Sequence, residues 1–329
     1  MRSLVSSTCV CLGLSLAPSI AGIDSALAAD ADPSVVVPFK PAPATGKTTP
    51  GGDPDAKIIL RPGSFAPVVY PSAAARFGVP DLVVTGLGGA TALVSIIVGP
   101  NREFGPRGGV LFDEDVRDLV RATDYTTQLA VRDASDVLLG FSMSYAFIGD
   151  ALINATWLRK SPDVGAQIAL LDVEVVALTL GIQQLVVNGI ARERPYGRTC
   201  GTSELDERSS FCITNDRYVS HFSGHAAAAF ALAAVTCAHH SAIPLSNGQA
   251  WIPCLSGFVG AAATAGLRVV GDMHYASDIL VGAAVGTTIG FLVPALHYGI
   301  GSWTPHSPIS GVSFNVLPTP QGVMVSGVW

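Results

Sequence analysis

The chain has 329 residues and a mass of 33.8 kDa, which is the size of one large domain or two small ones. Only 13% of the residues are charged and 49% are hydrophobic, whereas roughly 25% are charged in ordinary soluble domains, so a disordered protein is excluded. The net charge of −6, with 19 Lys and Arg residues and no long basic run, argues against a nucleic-acid-binding protein. The composition fits a membrane protein or an unusually apolar helical bundle.

Residues 1–28 have the three features of a secretory signal peptide. Arg2 supplies a basic start, an apolar run extends from Val10 to Ala21, and residues 26–28 form a small-x-small cleavage site. We expect cleavage after Ala28, the alternative being a signal that stays as an anchor. The sequence therefore predicts an exported protein of the periplasm or cell envelope.

Four cysteines follow the expected signal peptide, and an even number in an exported chain permits two disulfides. Cys200 and Cys212 share one polar loop and are the better pair. Cys237 and Cys254 are either a second disulfide or free buried thiols.

Residues 29–80 are rich in Pro, Gly, Ala and Asp and show no helical period, which predicts a linker or a wrapping arm. Apolar segments near the roughly 20 residues that span a bilayer follow. The six segments are 82–98, 137–157, 168–190, 223–242, 252–270 and 279–297. We expect one helical domain at 81–298.

The fold class predicted is all-α, a bundle of about six long apolar helices with the site at helix ends. The charged, amphipathic stretch from Phe112 to Asp136 predicts a surface helix, and the alternating tail at 299–329 predicts a short β-hairpin. Asp150, Asp172 and Glu174 lie inside apolar segments, and such carboxylates normally face a protein interior. We expect the protein to be embedded in a membrane or associated with one, with a soluble bundle as the alternative.

Three polar clusters lie at the ends of apolar segments. They are Arg192-Glu193-Arg194-Pro195 after the third segment, Ser223-Gly224-His225 at the start of the fourth, and Arg268, His274 and Asp278 between the fifth and sixth. Each alone has an ordinary structural explanation, as a helix exit, an N-cap or an i,i+4 pair. If the helices pack side by side, however, the three clusters meet in one pocket.

Such a pocket suits a phosphate group. Guanidinium forks match phosphate oxygens, and a helix N-terminus at Ser223 offers free N–H groups, with Gly224 allowing close approach. We expect Asp278 to accept a hydrogen bond from one ring nitrogen of His274 and so to orient it as a nucleophile or a base. His225 is then available as a proton donor.

Other histidines are given structural roles. His239 and His240 stand near the end of the fourth segment and are interpreted as partners of the helix C-terminal dipole rather than as a metal site. His297 and His306 lack partners at ligand spacing.

The three clusters, in this order, resemble the type 2 phosphatidic acid phosphatase (PAP2) family, whose superfamily includes bacterial acid phosphatases and vanadium haloperoxidases. The resemblance covers about residues 135–298. It implies an all-helical, metal-free phosphatase that works through a phosphohistidine on a lipid or small-molecule phosphomonoester. It assigns His274 as nucleophile, Asp278 as its partner and His225 as acid. The phosphate binders that it implies are Arg194, Ser223, Gly224 and Arg268.

The chain departs from the family pattern at three positions. A lysine of the first motif is replaced by Val187, a proline by Phe222 and a serine by Leu267. Arg192 is a candidate substitute for the lysine, so we include it among the expected phosphate binders. Losing one cation would cost about 3–4 kcal/mol of transition-state stabilisation.

Two alternatives remain open. The first is a haloperoxidase that holds vanadate in the same pocket, and the second is a phosphate-binding membrane protein that has lost turnover. For the phosphatase we expect no cofactor, no nucleic-acid partner and a site that faces outward. With the N-terminus outside, six crossings would place the site on the cytoplasmic side, so either the signal is retained or one or more segments do not cross.

Overall fold

The computed structural model describes residues 65–101 and 105–299, together with Gly63 and four strands. The chain divides into two units, residues 1–59 and 60–329. In the first unit, β1 (Val36–Val37) pairs antiparallel with β2 (Ile58–Ile59). The expected signal peptide at 1–28 lies outside the described residues, as does most of the expected arm.

The second unit is built from α-helices. Their bounds are α1 Val79–Val98, α2 Asp113–Val120, α3 Tyr125–Ser144, α4 Pro162–Ile190, α5 Ser210–Ile213, α6 Gly224–Ala242, α7 Trp251–Val270 and α8 Ala276–Tyr298. The tail contains β3 (Ser313–Thr319) and β4 (Gly322–Val328), which pair antiparallel. The predicted all-α bundle is confirmed, and each of the six apolar segments lies in a long helix.

The second apolar segment belongs to a helix that is longer than expected. α3 continues as a π-helix, Tyr145–Leu158, and it starts well before the segment does. Asp124 caps its N-terminus by accepting a hydrogen bond of 2.9 Å from the amide of Thr127. Because of this cap, the first three turns of α3 take up residues that the sequence assigned to a separate helix.

The prediction of one surface helix from Phe112 to Asp136 is therefore wrong in two respects. The stretch is divided between α2 and α3. α2 is also not confined to the surface, because Asp113 is fully buried and Arg117 is 7% exposed. Arg117 Nε donates to Oδ1 of the buried Asp272 at 2.7 Å. This ion pair holds α2 against the turn between α7 and α8.

α6 is enclosed by other helices, and α8 packs closely against it. A Cβ atom added at Gly282, Gly286 or Gly290 of α8 would lie only 2.0–2.6 Å from backbone oxygens of α6. Small residues at this spacing let two helix backbones approach closely. The oxygen facing Gly282 belongs to Ser223, so this contact sets the distance between the N-termini of the two helices.

In the part of the chain that the structure describes, five helical segments are long and apolar enough to cross a membrane, by length and composition. They are Val79–Val98, Tyr125–Leu158, Pro162–Thr199, Trp251–Val270 and Ala276–Tyr298. Large apolar side chains on their outer faces are exposed, for example Ile97 at 74% and Phe141 at 72%. The enclosed α6 is not among them.

Two buried histidine–carboxylate pairs lie in the bundle. His239 Nε2 is 3.1 Å from Asp172, and His240 Nε2 is 3.0 Å from Asp150. The interpretation of the two histidines as dipole partners is therefore incomplete, since burial next to a carboxylate is their main environment. The carboxylates face the protein interior, as expected from the cost of placing them in lipid.

The helices define two ends of the bundle. α4 and α7 end where α6 and α8 begin, and the loop 191–223 and the turn 271–275 lie at that end. At the opposite end lie residues 65–78 and the C-terminus of α8, since the amide of Ala75 donates to the carbonyl of His297 at 2.8 Å. We refer to these as the loop end and the far end.

Candidate active site

The three sequence clusters meet at the loop end. α4 stops at Ala191, whose φ of 49° is left-handed. Ser223 caps α6 by accepting a hydrogen bond of 3.3 Å from the amide of Ala226. The amide of Ser223 in turn donates to the carbonyl of Asp278 at 3.1 Å, so the starts of α6 and α8 are joined directly.

His274 is held in one tautomer by the backbone. Its ring is 2% exposed, and Nδ1 lies 2.8 Å from the carbonyl oxygen of Ser220. Because a carbonyl can only accept, Nδ1 carries the proton and Nε2 keeps its lone pair. Burial, followed by the positive charges of Arg194 and Arg268, holds the pKa of His274 well below its usual range. The arrangement keeps the ring neutral and able to attack as a nucleophile.

Asp278 does not play the expected part, because its oxygens are taken by groups other than His274. Oδ2 accepts from Ser220 Oγ at 2.6 Å and from the amide of Tyr275 at 3.0 Å. Oδ1 accepts from Arg192 at 2.7 Å and lies 2.9 Å from Nδ1 of His221. Asp278 therefore positions His274 through Ser220, and the prediction of a direct hydrogen bond is wrong.

Arg192 does not replace the lysine that Val187 displaces. Its side chain is 4% exposed and pairs with Asp113 at 2.8 Å and with Asp278 at 2.7 Å. Its guanidinium also lies 4.3 Å from the centre of the Tyr275 ring. The left-handed Ala191 ends α4. The side chain of the next residue, Arg192, therefore lies between α2 and α8. Both carboxylates already neutralise Arg192, so its assignment as a phosphate binder is corrected.

His225 and Arg268 share a partner that sequence reasoning missed. Oδ1 of Asp136, on α3, lies 2.8 Å from His225 Nε2 and 2.8 Å from Nη1 of Arg268. One carboxylate oxygen thus connects the expected acid with an expected phosphate binder. The one sequence signal for Asp136 was its position directly before the second apolar segment, which begins at residue 137.

A cavity of about 470 Å³ opens beside these groups, and its lining includes Arg194, Gly224, His225 and His274. Among the described residues, the Nε atoms of Arg194 and Arg268 are buried and have no hydrogen-bond partner. Free guanidinium donors and an N-terminal helix turn are the groups that bind phosphate oxygens. The geometry therefore favours an anion at this point.

The rest of the cavity wall is mainly apolar. Side chains from α1, α3, α4 and α6 form it, namely Ile96, Leu139, Met143, Val176, Leu180 and Ala228. The cavity thus joins a cationic end with a hydrocarbon-like side, which is the combination that an amphiphile requires.

Two disulfides lie in the helical unit. Cys200 is joined to Cys212 within the loop 191–223, and Cys237 on α6 is joined to Cys254 on α7. The first pair is the one that the sequence favoured, and the second adopts the alternative that was left open for it. The loop beside the site is therefore cross-linked.

Three further residues of the site were missed, namely Ser220, His221 and Asp113. The first two are separated from the Ser223-Gly224-His225 cluster only by Phe222, and their polar character was the available signal. Asp113 lies in the charged stretch that was predicted to be a surface helix, so its sequence context gave no sign of burial. Its Oδ1 accepts a 2.8 Å hydrogen bond from the amide of Ser277, so α2 contributes to the start of α8.

The PAP2 superfamily model matches residues 171–301. This range extends from the middle of α4 past the end of α8 and contains all three clusters. No curated protein and no solved structure matches the chain. The matched range agrees with the resemblance seen in the sequence. Residues 171–301 of the chain are thus similar to the PAP2 superfamily.

Proposed function

We propose that the protein is a metal-independent phosphatase that cleaves a phosphomonoester through a phosphohistidine on His274. The observation that carries the proposal is the neutral, buried ring of His274, with Nδ1 bonded to Ser220 and Nε2 left for attack. Arg194, Arg268 and the N-terminus at Ser223 and Gly224 would hold the phosphate oxygens.

The proposed reaction has two steps. In the first, Nε2 of His274 attacks phosphorus, the P–O bond to the leaving group breaks, and the protonated form of His225 gives its proton to the leaving oxygen. Burial and the charge of Arg268 lower the pKa of His225 to about 4, so this form is populated in acid. In the second, His225 takes a proton from water, the hydroxide attacks phosphorus, and the P–N bond breaks to release inorganic phosphate. His225 thus returns to its protonated state, and each step is balanced.

Vanadate distinguishes this proposal from the two alternatives. It should inhibit a phosphatase, activate a haloperoxidase, and change nothing in a protein that only binds phosphate. The residues that would hold vanadate are those that would hold phosphate, but Val187 stands where the family lysine would add a cation. We therefore expect vanadate inhibition of phosphate release and no halide oxidation.

The apolar side of the cavity supports a lipid phosphate as substrate. A hydrocarbon chain could lie against Leu139, Val176 and Leu180 while the phosphate meets Arg194 and His274. The test compares phosphatidic acid, undecaprenyl pyrophosphate and a soluble chromogenic monoester at equal concentration. Higher kcat/KM for the two lipids supports the proposal, and a clear preference for the soluble ester contradicts it.

We propose that the helical unit is embedded in a membrane with the loop end facing outward. The five apolar segments support the first part. The two disulfides, Cys200–Cys212 at the loop end and Cys237–Cys254 nearer the far end, support export rather than either orientation, since disulfides persist in oxidising compartments. Single cysteines introduced at the exposed Ser203, at the loop end, and at the exposed Gln249, at the far end, would show which side of the membrane each end faces. In intact cells an impermeant maleimide should label position 203 but not 249, and the reverse would contradict this orientation.

The absence of a metal requirement is tested by exhaustive chelation. The proposed chemistry uses imidazole and guanidinium groups where metal phosphatases use clustered carboxylates and histidines. Wild type should keep its kcat after chelation at a temperature at which it stays folded. Loss of kcat that one divalent ion restores would refute the proposal.

A further inference from the structure

A second cluster of ionisable side chains lies far from the proposed active site. It consists of Asp81 in the first turn of α1, Glu174 within α4 and His297 in the last turn of α8. One ligand atom from each lies within 4.8 Å of the others. Asp278 and His297 are 19 positions apart on α8, which corresponds to about 28 Å of helix, so this far-end cluster is separate from the phosphate pocket.

The distances within the far-end cluster are too long for hydrogen bonds. Nε2 of His297 lies 3.6 Å from Oδ1 of Asp81 and 3.6 Å from Oε2 of Glu174. Hydrogen bonds from nitrogen to oxygen measure about 2.7–3.2 Å. Two ligand atoms on a tetrahedron with bonds of about 2.0–2.1 Å are about 3.3 Å apart, as in zinc sites. The spacing therefore fits atoms arranged around a small ion.

The imidazole is oriented as metal-bound histidines are. Its Nδ1 lies 3.1 Å from the carbonyl oxygen of Ala75, so Nδ1–H donates and Nε2 offers its lone pair to the space between the carboxylates. A metal-ligating histidine commonly donates its other N–H to a backbone carbonyl in this way, which fixes both the tautomer and the ring. The residues before α1 thus supply the supporting contact.

Among the described residues, the two carboxylates of the far-end cluster have no lysine or arginine partner. Glu174 is 5% exposed, and its Oε2 is buried and has no hydrogen-bond partner among the described residues. An unpaired buried carboxylate destabilises the folded protein, and a divalent cation would remove this cost.

We propose that Asp81, Glu174 and His297 bind one Zn²⁺ ion. One imidazole nitrogen and two carboxylates suit zinc, whereas Ca²⁺ and Mg²⁺ prefer oxygen ligands alone. Asp81 is partly exposed, with its side chain at 25%, so the fourth position of the ion can be filled by water. The ion would join α1, α4 and α8 at the far end. The proposal is independent of the phosphatase assignment.

The test uses full-length protein without a polyhistidine tag, purified in detergent and stripped with a chelator. Isothermal titration with Zn²⁺ should give one site per chain. Glu174→Gln and His297→Gln should weaken binding at least tenfold. Asp163→Asn is the matched control, because Asp163 is an exposed carboxylate on α4 that pairs with Arg76. The control should bind Zn²⁺ like wild type.

A second measurement covers variants that fold poorly. Zn²⁺ should raise the melting temperature of wild type and of the control, but not that of Glu174→Gln, His297→Gln or the partly exposed Asp81→Asn. Helix content by circular dichroism shows which variants are folded. No saturable Zn²⁺ binding by wild type, unchanged binding in the folded variants, or preferential binding of Ca²⁺ or Mg²⁺ would each overturn the proposal. None of these readouts depends on phosphatase activity.

Discussion

Ser220 Oγ donates a 2.6 Å hydrogen bond to Oδ2 of Asp278. The carbonyl of the same serine accepts from His274 at 2.8 Å. The carboxylate thus orients the imidazole through one intervening residue, whose backbone and side chain both take part.

We call the connection from Asp278 through Ser220 to His274 the relay. It makes Ser220 a positioning residue, and this role can be tested. Ser220→Ala removes the hydrogen bond to Asp278 but keeps the carbonyl that His274 needs. We expect kcat to fall several-fold with little change in KM, because the phosphate binders are untouched. Ser277→Ala is the control, since its hydroxyl bonds to Asp113 and not to Ser220. A change confined to KM would contradict the relay.

The nucleophile is identified by trapping the phosphoenzyme. A histidine–phosphorus bond is labile in acid, so a labelled substrate is quenched in alkaline detergent before peptide mapping. Wild type and His225→Ala should carry the label on His274, and His274→Ala should carry none and lack turnover. Label on Ser223 would make that serine the nucleophile, with a histidine as its base.

The loss of kcat/KM in His225→Ala is expected to be larger for a more basic leaving group. Removing a general acid costs about 10²–10⁴-fold in rate. His225→Ala should therefore lose most activity on an alkyl phosphate and much less on nitrophenyl phosphate, whose leaving group departs without a proton. The two substrates are compared by kcat/KM. An equal loss on both would show that His225 only binds phosphate or maintains the fold.

Arg192 is expected to stabilise the protein rather than to bind substrate. Arg192→Gln leaves buried Asp113 and Asp278 without their cation, which should cost about 3–5 kcal/mol of unfolding free energy. Arg76→Gln is the control, because that ion pair with Asp163 is exposed and should change the melting temperature little. If Arg192→Gln raised KM with no loss of stability, Arg192 would be a phosphate binder after all.

The pH profile should report the environment of His274. Because its pKa is well below 6.5, the neutral, attacking form persists into acid, and the acid limb of kcat/KM should lie well below that pH. Arg194→Gln removes a positive charge, so the pKa of His274 should rise and the limb should move to higher pH. Ionisation of the substrate is common to all variants.

Arg198→Gln serves as the control for this shift. Arg198 lies in the same loop but pairs with Glu114 and is 49% exposed. Its removal should leave the acid limb in place. An unshifted limb in Arg194→Gln would mean that this charge does not act on His274.

The helices and the main site residues could be predicted because they depend on local patterns. Apolar runs of bilayer length predicted the six long helices, and the spacing of Arg268, His274 and Asp278 indicated the chemistry. Asp136, by contrast, reaches His225 from 89 positions away, and no local pattern encodes that contact. The sequence also could not show that the left-handed Ala191 directs Arg192 to Asp113.

The far-end cluster illustrates the same limit. Within its own segment, His297 has no partner at ligand spacing. Its two carboxylate neighbours come from α1 and α4, at positions 81 and 174. Only the packing of three helices brings them together, and a buried glutamate inside an apolar segment was the single available sign.

The glycines at 282, 286 and 290 determine which positions of α8 tolerate mutation. Even alanine at these positions would push α8 away from α6, because its Cβ would overlap backbone oxygens. Leu280 and Leu296, on the same helix, are 58% and 67% exposed and touch little of the protein. In a saturation library, α8 should therefore accept most apolar residues at the two leucines and almost none at the glycines. Displacement at Gly282 would reach Ser223, so selection for activity should reject changes there even where the protein still folds.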